Sequence, residues 1–418
     1  MKVFKFGGAS VKDAAGVRNV AHVLSHFPGE DLVIVVSAMG KTTNALEELL
    51  TAWVRGGKVE ERIGVLERTH QEVLVEVAPG DAAAMEALRA RFEQLRERCR
   101  RRPAGRSDMD YDQIVSFGEY WSTLIVGAHL NAVGVRTMLF DAGEAIRTDE
   151  LFRAARVDWE VSQRQVEHRL RPLLREHPFR VVTQGFVGRT AEGLATTLGR
   201  EGSDFSAAIF AYLLDAESVT IWKDVRGMFN ADPNRFPDTR LLEHISYREA
   251  IELSYFGASV IHPRTLQPLQ RKGIPLFIRS FSDLAAQGST ISEATDHDTL
   301  IPSYIVKPGQ LLISIAPHDL SFVVEENLSG IFWLFARHGV RIDLMQNSAV
   351  AFSVVVDDSP RAHGLIEELR KVYQVRYNAG CELVTIRHFD EATLKRLTAG
   401  REVLIEQRSR VTARFVLK

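Results

Sequence analysis

The sequence predicts an α/β protein in which helices cover both faces of a mostly parallel sheet, followed by two smaller modules of strands and helices. Two observations predict this class. Short β-branched runs alternate with longer amphipathic segments through the first two thirds of the chain, and beyond them the segments become shorter and turn-rich. A chain of 418 residues with 45% hydrophobic content is long enough for two or three domains with separate cores.

The individual elements follow from the periodicity of the apolar residues. The short apolar runs that suit buried strands are residues 3–6, 32–36, 181–183, 219–222 and 275–278. The segments with helical spacing are residues 45–55, 81–101, 111–130, 158–175, 205–214 and 264–271. Ligands of parallel sheets bind beyond the carboxyl ends of the strands. We therefore expect the loops 7–10, 37–40 and 223–224 to border the functional site.

The composition of the sequence changes between residues 284 and 310, where turn-forming residues become frequent. The next segment reads strand, helix, strand, strand, helix and strand, with Gly339 ending its first helix. A second set of this kind lacks the last helix and strand, and an early strand within 301–309 would complete it. The expected domains are residues 1–290, 310–380 and 381–418.

Charge and cysteine content exclude several classes of function. A net charge of −2, from 52 basic and 54 acidic residues, provides no general field to attract nucleic acid or an anionic membrane. Only Cys99 and Cys381 occur, without metal-type spacing, which fits a reducing, cytoplasmic environment. The sequence shows neither a signal peptide nor an apolar run of about 18 residues, so membrane insertion and secretion are not expected.

The loop at residues 197–204 is the most informative motif. Gly199 and Gly202 would allow the backbone to approach a ligand, and Asp204 stands where a cap of the following helix is expected. Free N–H groups at a helix start favour negative charge, so the loop is predicted to bind an anion. An ordinary helix entry has the same pattern, and this motif alone leaves both interpretations open.

Lys5 offers a cation for phosphate chemistry, because it stands just before Gly7 and Gly8 at the end of the first predicted strand. Electrostatic stabilisation of this kind dominates phosphoryl transfer, although a structural lysine is the alternative. Residues 40–42 resemble the end of a P-loop, but the glycine that a P-loop requires would fall on Val35. P-loop, dinucleotide-binding and protein-kinase classes are therefore disfavoured.

Six blocks of sequence together resemble aspartate kinase and occur in that family's order. They are residues 5–11, 36–44, 116–119, 183–188, 196–204 and 222–227. The resemblance covers nearly the whole chain. It implies an amino acid kinase (carbamate kinase-like) αβα sandwich followed by two ACT-type βαββαβ modules, the second truncated. It also implies that ATP with Mg²⁺ phosphorylates the side-chain carboxylate of L-aspartate to 4-phospho-L-aspartate. That reaction opens lysine, threonine and methionine biosynthesis and, in some bacteria, diaminopimelate biosynthesis.

The resemblance also implies roles for individual residues. Lys5 resembles the lysine that neutralises the transferring phosphoryl group, and Asp204 resembles the carboxylate that organises the catalytic lysines. Arg200 matches the arginine that grips the substrate α-carboxylate, and Glu119 matches the acid that faces the substrate ammonium. The rest of the implied aspartate pocket is Ala38, Thr43, Phe186 and Ser203. The residues implied along the nucleotide, besides Lys5, are Gly7, Gly8, Ser10, Lys223, Asp224, Met228, Asp232 and Ser259. Mg²⁺ is expected through the ATP phosphates, without side-chain ligands.

Ser259 is a departure, because many members of the family carry there a lysine that contacts the nucleotide phosphates. Lys223 or Arg264 would have to supply that charge, or turnover would be slow. His262 is interpreted as a packed turn residue rather than a base. No general base is needed, since the aspartate carboxylate is already ionised near pH 7 and positioning then carries most of the acceleration.

The C-terminal modules are expected to regulate the enzyme. In lysine-sensitive relatives the effector contacts positions that here read Asn327 and Leu328, and Asp343 and Ser348 retain the pattern of the strand that follows. Lysine, threonine or no effector remain open. ACT modules usually pair across subunits, so a homodimer or homotetramer is expected. The apolar run 331–335 reads as a packed helix face or as part of a subunit interface.

Three functions therefore stay open. The first is an aspartate kinase. The second is another amino acid kinase, acting on glutamate or N-acetylglutamate, although Arg200 and Glu119 together favour a free α-amino acid. The third is a catalytically weak ACT-type amino-acid sensor, which Ser259 and the shortened second module suggest. Because the sequence stops at Lys418, we expect no downstream dehydrogenase region and no bifunctional enzyme.

Overall fold

In the computed structural model, which describes residues 1–176, 180–258, 260–319 and 321–418, the chain divides into two units. The first unit comprises Met1–Met228, Leu241–Ile251 and Ser259–Thr295. The second comprises Phe229–Arg240, Glu252–Ala258 and Asp296–Lys418. Two short segments that precede residue 290 in sequence thus belong to the second unit.

The described residues of the first unit form ten strands, most of which belong to one mostly parallel sheet. They are β1 (Lys2–Phe6), β2 (Leu32–Val36), β3 (Thr137–Phe140), β4 (Arg180–Gln184), β5 (Val187–Arg189), β6 (Ala195–Thr197), β7 (Ser218–Lys223), β8 (His244–Ser246), β9 (Leu276–Ser280) and β10 (Ser289–Ser292). Among the described residues, eight of these strands lie in the order β3-β4-β2-β1-β7-β9-β10-β8, while β5 pairs with β6. Only β9 and β10 are antiparallel neighbours within the described part of the large sheet. The predicted fold class is confirmed.

The helices of the chain up to residue 272 are α1 (Ala14–Ser25), α2 (Thr42–Arg55), α3 (Val59–Val77), α4 (Ala82–Arg100), α5 (Ser107–Val115), α6 (Phe117–Ala132), α7 (Ala142–Ala145), α8 (Trp159–Gln165), α9 (Arg171–Glu176), α10 (Gly202–Leu214), α11 (Tyr247–Phe256) and α12 (Pro263–Lys272). A π-helical turn, Val166–Leu170, joins α8 to α9. Over the residues for which the structure gives a conformation, none of the helices is both long enough and apolar enough to span a membrane.

The prediction of one helix over residues 111–130 is wrong, because α5 ends and α6 begins around Ser116. Ser116 keeps helical backbone angles of φ −58° and ψ −24°, so the apolar period in the sequence continues across the junction. Only the hydrogen-bond ladder is interrupted there.

Helix α3 was not predicted, because His70 occupies one of its core positions and interrupts the apolar stripe.

Alternate residues of β1 face opposite layers of the sandwich, as the two-residue period of a strand requires. Phe4 and Phe6 belong to the core shared with α1 to α6, where the ring of Trp222 from β7 lies 5.7 Å and 6.2 Å from theirs. Lys5 is on the other face, the side of β1 that contacts α10. Aromatic packing on one face of β1 and β7 therefore fixes the strands that carry charged residues on the other.

The second unit contains a separate antiparallel sheet. Its strands are β11 (Ser303–Ala316), β12 (Leu344–Asn347), β13 (Phe352–Asp357), β14 (Gln374–Arg387), β15 (Val403–Arg408) and β16 (Thr412–Leu417), and its further helices are α13 (Glu325–His338), α14 (Pro360–Leu369) and α15 (Glu391–Thr398). The order in the described sheet is β12-β13-β11-β14-β16-β15. This arrangement is that of ACT-type modules, as the fold class predicted.

Strands β11 and β14 are longer than the sequence suggested. Residues 303–307 of β11 pair with residues 383–387 of β14, and residues 312–316 pair with residues 374–378. The pairing register shifts at the turn-forming residues between them, which had marked the ends of separate strands in the sequence. Both modules therefore share one continuous pair of strands.

Acid should destabilise the first unit through His70. Its ring is buried edge-on against the stacked rings of Trp121 and Phe92, with Nδ1 bonded to the carbonyl of Leu66 at 2.7 Å. Burial lowers the pKa of His70 from 6.5 to about 4. Between pH 6.5 and about 4, His70 is protonated in the unfolded chain but stays neutral in the folded core. The free energy of unfolding therefore falls as the pH falls through this range.

We expect His70→Phe to remove this contribution, up to about 1.4 kcal/mol per pH unit within that window. Urea unfolding followed at several pH values measures it, and His26→Phe, which changes an exposed ring, is the matched control. An identical pH dependence for the wild type and His70→Phe would contradict the assignment.

Candidate active site

A cavity of about 530 Å³ opens at the carboxyl ends of β1, β2 and β7. Each of the three loops that were expected to border the site contributes to it, through Gly8, Ala38 and Lys223. Its complete lining is Lys5, Gly8, Ser37, Ala38, Gly40, Thr43, Tyr111, Glu119, Arg153, Phe186, Gly199, Arg200, Glu201, Gly202, Ser203, Asp204 and Lys223. The structure thus brings together residues that lie up to 218 positions apart in the sequence.

Three charged side chains form the centre of the cavity. The carboxylate of Asp204 is paired with the ammonium of Lys5 at 2.6 Å through Oδ1 and with that of Lys223 at 3.1 Å through Oδ2. Asp204 is only 2% exposed. Burial by itself raises the pKa of Asp204, but the two ammonium groups outweigh it and hold the pKa below its ordinary value. The carboxylate therefore stays ionised and keeps both lysines in place.

Asp204 does not cap a helix over residues 205–214, and that part of the sequence prediction is wrong. Helix α10 begins three residues earlier, at Gly202, so Asp204 lies within its first turn. The helix start is set by Glu201, whose backbone is left-handed with φ 53°. A Cβ at position 202 would lie 2.6 Å from the ring of Phe186, so only glycine allows this approach.

Glu119 projects from the start of α6 into the cavity and is 3% exposed. Its Oε1 accepts a weak hydrogen bond of 3.4 Å from the backbone N–H of Ala38, and its buried Oε2 has no partner among the described residues. Burial raises the pKa of Glu119 to about 8, although the Ala38 N–H and the charge of Lys5 act in the opposite direction. Such a carboxylate is expected to bind a cationic ligand group.

The other predicted substrate residues lie on the same cavity. Arg200 is exposed at its edge, and within the part of the chain that the structure describes no carboxylate forms an ion pair with its guanidinium. Phe186 has a left-handed backbone with φ 68°, and its N–H is held by the hydroxyl of Ser206 at 2.8 Å. Thr43 and Ser203 complete the lining. The six predicted substrate residues are thus brought together, and their individual roles stay predictions.

The nearer of the predicted nucleotide residues surround Lys5. Gly8 lines the cavity, and a Cβ on it would lie 2.8 Å from the carbonyl oxygen of Ala38. A Cβ on Gly7 would lie 3.3 Å from the ammonium of Lys5. Ser10 is buried, and its hydroxyl donates to the carbonyl of Trp222 at 3.2 Å. The small residues at 7 and 8 leave room for a ligand beside Lys5.

Three other predicted nucleotide residues, Asp224, Met228 and Asp232, are not part of the cavity lining. Asp224 is exposed, and Met228 is buried with its N–H bonded to the hydroxyl of Ser289 at 2.9 Å. Asp232 belongs to the second unit, where its carboxylate accepts from the N–H of Asn234. Ser259 lies outside the described residues. Their roles also stay predictions.

Sequence reasoning missed three charged or aromatic residues of the cavity, Tyr111, Arg153 and Glu201. The guanidinium of Arg153 lies 4.1 Å from the ring centroid of Tyr111. Both Arg153 and Glu201 have left-handed backbones, with φ of 66° and 53°. No sequence signal marks a left-handed residue that is not glycine or asparagine, so neither position could be recognised.

The buried carboxylate of Asp112 fixes two loops of the cavity. It accepts the backbone N–H of Arg153 at 3.0 Å, the backbone N–H of Thr197 at 2.7 Å and the hydroxyl of Thr197 at 2.7 Å. Burial raises the pKa of Asp112 to about 6 in spite of these donors. Asp112 was not recognised in the sequence because all its partners are distant in the chain.

The predicted effector residues lie in the second unit, and each has an internal role there. Asp343 forms an ion pair with Lys307 at 2.5 Å, and the hydroxyl of Ser348 donates to the carbonyl of Ala351 at 3.1 Å. The side chain of Asn327 accepts the N–H of Val324 at the start of α13, and Leu328 packs against the hydrophobic core of the first module.

A family model described as the amino acid kinase family matches residues 1–280 of the chain. The chain therefore belongs to the amino acid kinase family. Lysine-sensitive aspartokinase 3 of Escherichia coli (strain K12) is 30% identical over 395 residues, which cover 92% of this chain and 86% of that protein. Within the family, the chain thus belongs to the aspartokinases.

Two crystal structures of E. coli aspartokinase III are similar to this chain over its whole length, at 27% identity. The complex with lysine and aspartate gives a TM-score of 0.85 and is covered to 95%. The complex with aspartate and ADP gives a TM-score of 0.83 and is covered to 96%. The similarity therefore extends over both units of the chain.

Replacing Asp112 by asparagine should destabilise the first unit by about 1 to 3 kcal/mol. Three donors converge on the two carboxylate oxygens of Asp112, and the NH₂ group of asparagine would face at least one of these donors without accepting its hydrogen bond. Urea unfolding measures the change. Asp108→Asn is the matched control, since Asp108 lies 3.6 Å from the guanidinium of Arg153 but has a 59% exposed side chain. Equal stability of both variants would show that Asp112 does not anchor these loops.

Proposed function

We propose that the protein transfers the γ-phosphoryl group of ATP to the side-chain carboxylate of L-aspartate and forms 4-phospho-L-aspartate. One observation carries this proposal. A single cavity combines two lysines held by a buried carboxylate with a second buried carboxylate, Glu119, whose Oε2 lacks a partner among the described residues. The two lysines suit a transferring phosphoryl group, and the carboxylate of Glu119 suits the ammonium of an amino acid. The solved E. coli aspartokinase III with aspartate and ADP supports the same pair of ligands.

The chemistry follows from charge and position. The aspartate carboxylate is ionised near pH 7 and attacks phosphorus without a general base. Lys5 and Lys223 neutralise the phosphoryl oxygens, while Asp204 keeps the two ammonium groups from moving apart. Arg200 receives the α-carboxylate of the substrate, and Glu119 receives its ammonium. ATP enters as a complex with Mg²⁺, which supplies further neutralisation of the phosphate charge.

Lys223 compensates for the family lysine that is replaced by Ser259. Arg264, the other candidate, donates to the carbonyls of Leu198 at 3.0 Å and Ala155 at 3.4 Å and does not line the cavity. Lys223 lies on the cavity and contacts Asp204 directly. An intact pair of lysines favours an active enzyme over a sensor without turnover.

The substrate class is an α-amino acid with a free ammonium. An N-acetylated acceptor would leave Glu119 without a cationic partner, and burying an unpaired carboxylate is costly. The identity of the chain to aspartokinases favours aspartate over glutamate. The reaction places the enzyme at the first step of lysine, threonine and methionine biosynthesis. Two unpaired cysteines support a cytoplasmic location.

Regulation is proposed to act through the second unit. Its ACT-type sheet supports an amino-acid effector, lysine or threonine, and assembly into a homodimer or homotetramer. The similarity to the E. coli complex with lysine supports lysine as the first candidate. Asn327, Leu328, Asp343 and Ser348 are the proposed contacts.

Coupled ADP release tests the function. With purified protein, ATP and Mg²⁺, we expect ADP release with L-aspartate and trapping of the acyl phosphate by hydroxylamine. Glutamate and N-acetylglutamate should give little product, and lysine or threonine should lower the rate. The proposal would be contradicted if ADP were released with N-acetylglutamate but not with aspartate, or if none of the acceptors led to ADP release.

Lys5→Ala should lower kcat by about 10³-fold or more while aspartate still binds, because Lys5 acts on charge that develops during transfer. Steady-state kinetics measure kcat, and calorimetry measures aspartate binding. Lys2→Ala removes a lysine from the same strand, where it pairs with Glu30, and should leave kcat unchanged. An unchanged kcat for Lys5→Ala would remove Lys5 from its assigned role.

Aspartate binding should release close to one proton near pH 7. Burial raises the pKa of Glu119 to about 8, so the carboxyl is mostly protonated at pH 7, and the substrate ammonium lowers that pKa on binding. Calorimetry in buffers of different ionisation enthalpy counts the protons, and the release should fade above pH 8 because Glu119 is then already ionised. Glu119→Gln should abolish the release. Binding by the wild type without proton release would show that Glu119 does not face the ammonium.

A further inference from the structure

Strained backbone is concentrated at the cavity. Among the described residues, Arg153, Phe186, Glu201, Asp215 and His388 are the residues other than glycine with positive φ, and the first three line the cavity. A left-handed conformation is unfavourable for a residue with a Cβ, and it persists where the surrounding structure imposes it. Such positions cluster at functional sites, so the side chains of Arg153, Phe186 and Glu201 are candidates for a functional role.

Glu201 presents a carboxylate that the protein itself does not satisfy. Its Oε2 is buried and, over the described ranges of the chain, accepts no hydrogen bond. Burial raises the pKa of Glu201, and the nearby charge of Asp204 raises it further, while Lys223 is the strongest influence in the opposite direction. Glu201 lines the same cavity as Lys5 and Lys223, and it directly precedes α10, the helix that carries their partner Asp204.

The carboxylates of the cavity can be distinguished by their partners. Asp204 has one oxygen paired with each lysine. Glu119 is held by the N–H of Ala38 and is assigned to the substrate ammonium. Glu201 is the carboxylate of the described cavity lining that neither a protein group nor the aspartate substrate satisfies.

The charges around the nucleotide site lead to the same conclusion. Asp204 already offsets part of the positive charge of Lys5 and Lys223, and an ionised Glu201 adds a second negative charge to the same lining. A nucleoside triphosphate with about four negative charges would be repelled by that second carboxylate. A divalent cation between Glu201 and the phosphates reverses that repulsion.

We propose that Glu201 is a ligand of the divalent cation that enters the site with the nucleoside triphosphate. Mg²⁺ in kinases is commonly held by one or two carboxylates together with phosphates and water. Among the described residues, no group of three or more His, Cys, Asp and Glu side chains is arranged to hold a metal ion, so phosphate and water oxygens complete the coordination. This inference rests on the proposed function, because it requires that ATP binds beside Lys5 and Lys223.

Glu201→Gln and Glu201→Gly test the inference. Glutamine keeps the shape without the charge, and glycine adopts the left-handed backbone without strain, so folding is preserved. Glu192→Gln is the matched control, since Glu192 is an exposed acid of the first unit outside the cavity. Calorimetry measures binding of the β,γ-imido analogue of ATP with Mg²⁺ and with EDTA, and electron paramagnetic resonance measures Mn²⁺ bound in the ternary complex.

In both Glu201 variants we expect the metal-free analogue to bind about 10-fold more tightly, because a repulsive charge is lost, and Mn²⁺ in the ternary complex to bind about 10-fold more weakly. Glu192→Gln should match the wild type. Equal changes with Mg²⁺ and with EDTA, or an unchanged Mn²⁺ affinity, would overturn the inference while the kinase assignment stands. A wild type that binds no analogue under either condition would overturn both.

Discussion

The pairing of Asp204 with Lys5 and Lys223 is the interaction on which the rest of the site depends. A carboxylate that is 2% exposed is costly to bury alone, and two ammonium groups without it would repel each other. The three groups come from β1, α10 and β7, so their meeting requires the parallel order of these strands and the start of α10 at Gly202. The aromatic packing on the opposite face of the sheet holds both strands in that register.

Several features of the cavity are unfavourable by themselves and would be satisfied by bound ligands. Glu119 and Glu201 each have a buried oxygen without a partner among the described residues. Three residues with a left-handed backbone also border the cavity. These features are unfavourable in the free protein, and ligand groups of opposite charge convert them into specific binding. The substrate ammonium and a nucleotide-bound cation are chemically distinct, and we propose that the two carboxylates act on these two different ligands.

Much of the fold follows from local sequence. Apolar runs with the period of a strand or a helix predicted the parallel sheet and most of its helices, and six ordered blocks indicated the family. The junction at Ser116 was not predictable, because its backbone angles remain helical and only the hydrogen bonds change. The long strands β11 and β14 were not predictable either, since turn-forming residues within them are tolerated only at a register shift of the complete sheet.

The sequence by itself determined which chemical groups are available: Lys5, Glu119, Arg200, Asp204 and Lys223 stand in the ordered blocks that resemble aspartate kinase. Only the tertiary structure decided how they are paired and which further groups join them. Asp112, 41 positions away, holds the backbone N–H of Arg153 at the cavity, and Glu201 lines the cavity with a left-handed backbone just before α10. Hydrogen bonds and strain of this kind arise between segments that meet only in the folded chain, so no local pattern encodes them.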